Sequence, residues 1–268
     1  MNHKIGFIGG GNMGSAMIGG IISSKLYTPS QITVSDPVSA TLDRLSTTYG
    51  INTTTDNLQV ISASDIIFLA VKPYMYESVI EQIRDYIDDS KIIVAIAAGV
   101  SHAILDNYFR KPVKIIRVMP NTPAMVLEAM SALTPNEQVT KEELSIIVTL
   151  FESFGKAEVV PESLMDTVVG VSGSSPAYVY MFIEAMADAA VADGMPRAQA
   201  YKFAAQSVLG AAKMVLETGK HPGELKDMVC SPGGTTIAAV AKLEEEGFRN
   251  AVISAQRCCV EKSKDMGK

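Results

Sequence analysis

The 268-residue sequence has no tryptophan and only three cysteines and three histidines. Cys230, Cys258 and Cys259 show no metal-ligand spacing and give no disulfide framework, so the simplest expectation is a reducing, cytoplasmic setting. The histidines are scattered and offer no ligand cluster. His102, at a helix start, reads as solvent-facing or simply packed. Charge of one sign is also lacking in blocks: 23 basic and 29 acidic side chains are interspersed and leave a net charge of −6. That balance argues against sequence-independent binding to nucleic acid or an anionic membrane. Long apolar runs are missing as well, although 47% of residues are hydrophobic and the mean hydropathy is +0.20. The longest uncharged stretch, residues 5–24, holds seven glycines plus Asn12, Ser15, Ser23 and Ser24, and makes a poor apolar helix. The length suits one large domain or two modest ones, with a sizeable core.

What is present is an alternation. Short β-like runs at Ile5–Ile8, Ile32–Ser35, Asp65–Val71, Ile92–Ala97 and Lys114–Met119 are separated by helical patterns such as Tyr76–Tyr86 and His102–Phe109. Strands alternating with helices, and apolar along nearly their whole length, predict a parallel, doubly wound α/β sheet covered on both faces. Beyond Leu164 the β-like runs stop. Ser174-Ser175-Pro176 opens a helix that runs to Asp193 and stops at Gly194, and a second runs from Pro196 to about Gly219. Two more start near Thr236 and Phe248. The shift predicts a nucleotide-binding domain over residues 1–163 and an all-α domain over 164–268.

Gly9-x-Gly11-x-x-Gly14 follows the first strand and opens the first helix, with Asn12 and Met13 inside the turn. In this context Gly9 permits the tight turn, Gly11 lets backbone approach a pyrophosphate, and Gly14 allows close helix–strand packing. The helix N–H groups then face the phosphates. An acid, Asp36, ends the second strand 22 positions after Gly14. Its carboxylate suits a ribose 2′-hydroxyl and repels a 2′-phosphate; it also suits a simple helix cap before Pro37. Ser35 is the adjacent group that could receive a 2′-phosphate, and the nearest downstream arginine is Arg44. The loops Ala70-Val71-Lys72-Pro73 and Ala97-Ala98 end later strands, where parallel sheets bind ligands. The cofactor expected is NADH or NADPH.

The second informative stretch is Ser231-Pro232-Gly233-Gly234-Thr235-Thr236, leading into an apolar helix. Backbone N–H groups and hydroxyls at a helix start can receive a small carboxylate, or can be no more than a turn and a cap. With Phe68-Leu69-Ala70-Val71-Lys72-Pro73, Met119-Pro120-Asn121-Thr122-Pro123, Gly170-Val171-Ser172-Gly173-Ser174-Ser175-Pro176 and His221-Pro222-Gly223, this loop gives the chain a resemblance, almost end to end, to the pyrroline-5-carboxylate reductases.

The resemblance implies a Rossmann domain carrying NAD(P)H and a helical domain that interlocks with a second copy, with assembly on to decamers. It implies hydride transfer to 1-pyrroline-5-carboxylate to give L-proline. Carried over by residue, Ser231, Gly234, Thr235 and Thr236 receive the substrate carboxylate and ring nitrogen, set against the partner subunit's nicotinamide. Thr236 is the residue expected to fix the face of the imine. Glu162 matches a substrate-side acid; Asn57, Lys72, Pro73, Ala97 and Ala98 match cofactor contacts. Ser175 stands where many members have glycine, and Pro37 where many NADP-preferring members have a basic residue. A 3-hydroxyacid dehydrogenase of the same plan is disfavoured, because Val179 and Ile183 fall where its lysine and asparagine would stand. A dinucleotide-sensing regulator would have no need for the Ser231–Thr236 loop. The stretch from Ala177 to Ala192 is apolar nearly all round, so it must be buried on several sides, which predicts an obligate oligomer.

Overall fold

In the computed structural model, which describes residues 3–267, the chain from the first strand to Ser174 forms one unit. Its elements are β1 (Ile5–Ile8), α1 (Asn12–Ser23), β2 (Ile32–Ser35), α2 (Ser39–Tyr49), β3 (Asn52–Thr54), α3 (Asn57–Ala63), β4 (Ile66–Leu69), α4 (Tyr76–Ile83), β5 (Ile92–Ala95), α5 (His102–Phe109), β6 (Lys114–Met119), β7 (Ala129–Pro135), α6 (Lys141–Glu152), β8 (Gly155–Val159) and the short α7 (Met165–Val168). The eight strands lie in the order β3-β2-β1-β4-β5-β6-β7-β8. Because successive strand residues face opposite sides, Phe7, Phe68 and Val94 pack under α1, α2 and α6. Ile67, Leu69 and Ile93 pack under α3, α4 and α5. Phe7 stacks on Phe68 with ring centroids 4.5 Å apart. Both faces of the central strands are therefore dry, which explains their unbroken apolar runs.

The chain leaves β1 in one direction for β2 and β3, then returns to the other side for β4 and β5. Such a reversal opens a crevice beyond the carboxyl ends of β1 and β4, where open α/β sheets bind ligands. The five strands expected from the sequence pair in parallel, and β7, which the sequence did not announce, runs antiparallel to β6. The segment joining them, residues 120–128, is too short for the crossover that a parallel return needs. β8 is parallel to β7 again.

The second unit covers Ser175–Cys258 and holds α8 (Ser175–Ala192), α9 (Arg197–Thr218), α10 (Pro222–Val229), α11 (Thr235–Glu245) and the first half of α12 (Phe248–Met266). By packing, the first unit runs on to Ser174, past residue 163. Residues from Cys259 onward belong to the first unit. There the Ser263 hydroxyl donates to the Asp166 carboxylate (2.7 Å), and Gly99 packs so tightly beneath Met266 that an added Cβ would lie 2.9 Å from the Met266 Cβ. The residues after 163 still belong to the sheet unit, where Met165, Val168 and Val169 pack with Met119 of β6 and Ala132 of β7. Among the described residues, no helix is long and apolar enough to cross a membrane.

Candidate active site

The glycine turn explains itself in contacts. Gly9 has φ +105°, and a Cβ there would sit 2.7 Å from the Ala70 carbonyl oxygen. A Cβ on Gly14 would meet the Gly9 carbonyl oxygen at 2.6 Å. Gly11 differs: its φ is −65°, and a Cβ would project into open space. Gly11 is also the N-cap of α1 and brings no side-chain cap, so the first helical N–H groups look outward without an intrahelical acceptor. A space that a side chain would fill, at an uncapped helix start, fits a phosphate group.

Around that point lies a cleft of about 590 Å³ lined by Gly9, Gly11, Asn12, Met13, Asp36, Pro37, Ala70, Val71, Lys72, Pro73, Ala97 and Ala98. Met75, Ile96 and Thr122, which sequence reading left out, complete it. Thr122 could have been found: it lies in the Met119–Pro123 segment. Asp36 does two things. Its Oδ2 accepts the Gly10 N–H and its Oδ1 the Val38 N–H, each at 2.9 Å, which locks the glycine turn to the start of α2. It is not the cap residue of α2, which is Val38. Arg44 turns its Nη2 to the Ser15 hydroxyl (3.0 Å).

Three expected residues sit elsewhere. Gly14 is buried behind the turn it permits. Ser35 is 1% exposed and its hydroxyl donates to the Asn57 Oδ1 at 2.7 Å, so it does not face a 2′-phosphate. Asn57 in turn donates to Gln82 (3.0 Å), and neither lines the cleft.

Glu162 belongs to a different recess, shared with Gly99, Ser101, Arg117 and Asp166. Its Oε1 accepts the His102 N–H at 2.8 Å and pairs with the buried Arg117 guanidinium. Burial opposes the Glu162 charge, but the His102 N–H and Arg117 outweigh it and hold the carboxyl below its ordinary value. His102 is packed rather than solvated. Its Nε2 meets the Thr134 carbonyl oxygen at 3.1 Å, which makes Nε2 the protonated nitrogen, and burial lowers its pKa. Because the Glu162 pKa is depressed in the fold, its stabilisation is complete above the ordinary value near 4.5 and is lost as the pH falls below it. Urea unfolding of wild type and Glu162→Gln is therefore expected to show a gap that narrows on acidification through this range. A constant gap would assign the effect to shape rather than charge.

The Ser231–Thr236 loop lies in the second unit. The Gly234 N–H donates to the Ser231 carbonyl at 3.0 Å, closing a turn in which Gly233 takes φ +67°. Gly234 is the N-cap of α11, again with no side-chain cap, and a Cβ there would collide with the Ser231 hydroxyl. The amides of Thr235 and Thr236 open the helix with their hydroxyls beside them. Like Gly11, Gly234 starts its helix without a side-chain cap, and such a start can take an anion.

Comparison with known proteins follows the two units. Residues 162–266 match the family model described as pyrroline-5-carboxylate reductase dimerisation, and residues 4–99 the one described as NADP oxidoreductase coenzyme F420-dependent. The chain is 55% identical to the pyrroline-5-carboxylate reductase of Escherichia coli (strain K12) over 268 residues, covering all of both chains. It is 48% identical to that of Methanosarcina acetivorans, covering 100% of this chain and 99% of that one. The crystal structure of Plasmodium falciparum pyrroline carboxylate reductase with NADP bound superposes with a TM-score of 0.92 at 32% identity, covering 100% and 99% of the two chains.

Proposed function

The chain belongs to the pyrroline-5-carboxylate reductase family, and from that premise we propose that it reduces 1-pyrroline-5-carboxylate to L-proline with NAD(P)H, the last step of proline biosynthesis. The observation that carries this reading is that a glycine opens a helix without a side-chain cap at Gly11, in the cleft, and again at Gly234, in one chain. One fits a pyrophosphate and the other a small carboxylate. NAD(P)H, when bound, supplies the hydride.

The protein's own work is placement. The α1 N-terminus and the Gly11 backbone receive the pyrophosphate, and Asp36 takes a ribose hydroxyl. The loops 70–73 and 97–98 line the nicotinamide end. Ser231, Gly234, Thr235 and Thr236 of a partner copy hold the substrate carboxylate, and the Thr236 hydroxyl bonds the ring nitrogen to select the face attacked. Glu162 serves the substrate side from the recess it shares with Gly99 and Ser101. A protonated imine is already electrophilic, so orienting two reactants does most of what is required. No acid–base lysine is needed, in keeping with the apolar Val179 and Ile183 of α8. Oxidation of NAD(P)H on adding 1-pyrroline-5-carboxylate tests the reading. Turnover with 3-hydroxyacids alone, or cofactor binding without turnover, would overturn it.

Asp36 bears on which cofactor is preferred. Its carboxylate is fixed at the end of β2 and no basic side chain follows directly, so NADH is expected to give the higher kcat/KM. Steady-state kinetics with both cofactors check this, and a preference for NADPH by orders of magnitude contradicts it.

We also propose an interlocked homodimer, open to further assembly, in a reducing cytoplasm; all three cysteines are unpaired. In a single copy the second unit leaves Met181 69%, Phe203 67% and Leu216 81% exposed, and α8 buries only Ala187. Apolar helices this open call for a cover, and a second copy supplies one of the same chemistry. Sedimentation is expected to give a dimer or larger species, with Phe203→Glu shifting it towards monomer or precipitate. A wild-type monomer at working concentration would refute the assignment.

A further inference from the structure

Tyr76 opens α4, is fully buried, and touches neither the cleft nor solvent. Its hydroxyl nevertheless spans the two strands whose ends form the nicotinamide side of that cleft. It donates to the Leu69 carbonyl oxygen, the last residue of β4, at 2.6 Å. It accepts the N–H groups of Ile96 and Ala97, just past the end of β5, at 3.1 Å each. A phenol has one donor and two lone pairs, and all three are used.

Position gives this bond set its meaning. The β4–β5 ladder ends at the Leu69–Ala95 pair. Immediately beyond it the chains part into Ala70–Pro73 and Ala97–Ala98, both of which line the cleft. The Tyr76 hydroxyl stands where the next ladder bond would have been. It satisfies two amides that the parting strands leave without a backbone partner, and it fixes how far apart the loops sit. Burial raises its pKa, outweighing the two amide contacts, so the donor stays protonated at any working pH.

We propose that Tyr76 is a positioning residue for the nicotinamide cofactor, setting the separation of the two loops that bracket it. The proposal rests on the dinucleotide reading of the cleft. Loss of a neutral hydrogen-bond anchor at a buried site costs binding on the order of tenfold. For Tyr76→Phe the dinucleotide Kd, measured by titration with NADH and with NADPH, is expected to rise by about that factor, with the cofactor KM following it. The KM for the imine is expected to stay within about twofold, since the substrate loop lies in the other unit. Ile80→Val thins the same core without touching the hydroxyl. It should lower stability comparably and leave the cofactor Kd unchanged. Equal dinucleotide affinity in wild type and Tyr76→Phe overturns the proposal, and so does an Ile80→Val that weakens affinity as much. If wild type binds neither dinucleotide, it is the cofactor reading that fails. Should Tyr76→Phe not fold, hydrogen exchange of the wild-type chain without cofactor decides. Slow exchange at the Ile96 and Ala97 amides supports the anchor, and exchange at loop rates refutes it.

Discussion

Gly11→Ala is expected to weaken dinucleotide binding by about 10- to 100-fold while leaving the fold almost as stable as wild type. The factor corresponds to losing a hydrogen bond to a charged group, about 1.5–3 kcal/mol. Stability is spared because the added methyl enters open space at φ −65°, a conformation any residue adopts. The N-cap change itself costs at most about 1 kcal/mol. Gly9→Ala should behave differently. Its φ of +105° strains any side chain, and the methyl would press on the Ala70 carbonyl oxygen at 2.7 Å. Strain of that kind costs about 1–3 kcal/mol, so stability and binding fall together. Thermal unfolding without cofactor, beside a fluorescence titration with NADH, separates the two variants. If Gly11→Ala binds as wild type does, the phosphate does not sit at the head of α1.

Thr236→Ala should leave dinucleotide affinity unchanged and reduce kcat/KM for the imine by about 10- to 100-fold. The range follows from losing one hydrogen bond to a charged ring nitrogen, about 1.5–3 kcal/mol. The loop can bear the change: Gly234 caps α11 without help from a side chain, and the turn is closed by backbone from Gly234 to Ser231. Thr236→Ser, which keeps the hydroxyl, should recover most of the rate. An unaltered kcat/KM in Thr236→Ala would remove this residue from the reaction.

Legibility in the sequence followed burial and period. β2 and β6 lie where their apolar patterns put them because they are buried over nearly their whole length, and α5 because Leu105 and Phe109 keep a helical period on its buried side. β3 (Asn-Thr-Thr) and β8 (Gly-Lys-Ala-Glu-Val) escaped because they are half-exposed edge strands with little apolar content. The glycine turn was legible because Gly9 and Gly14 are forced there by close backbone contacts, and Asp36 because a carboxylate at that strand end ties the turn to α2. Ser35 and Asn57, expected beside the cofactor, lie outside the cleft lining, because one-dimensional adjacency to a strand end does not say which face a side chain takes. They took each other. Tyr76 carried no signal at all: an aromatic at a helix start reads as core, and only the parting of β4 and β5 gives its hydroxyl a task. The antiparallel β7 depended on a connection length, not on its own residues.

The packing of Gly99 beneath Met266 has a consequence for the order of events during synthesis. The helical unit is an insertion between two pieces of the sheet unit. The loop after β5 therefore emerges from the ribosome long before the segment that covers it. At bacterial or eukaryotic elongation rates the wait is roughly 10 to 30 s. Late in that interval the apolar faces of α8 and α9 are also made, before the closing segment and before a second copy can cover them. Nascent chains thus pass through a stage with an unfinished cofactor loop and an uncovered helical surface, the stage at which chaperone demand and misassembly between neighbouring chains should be highest.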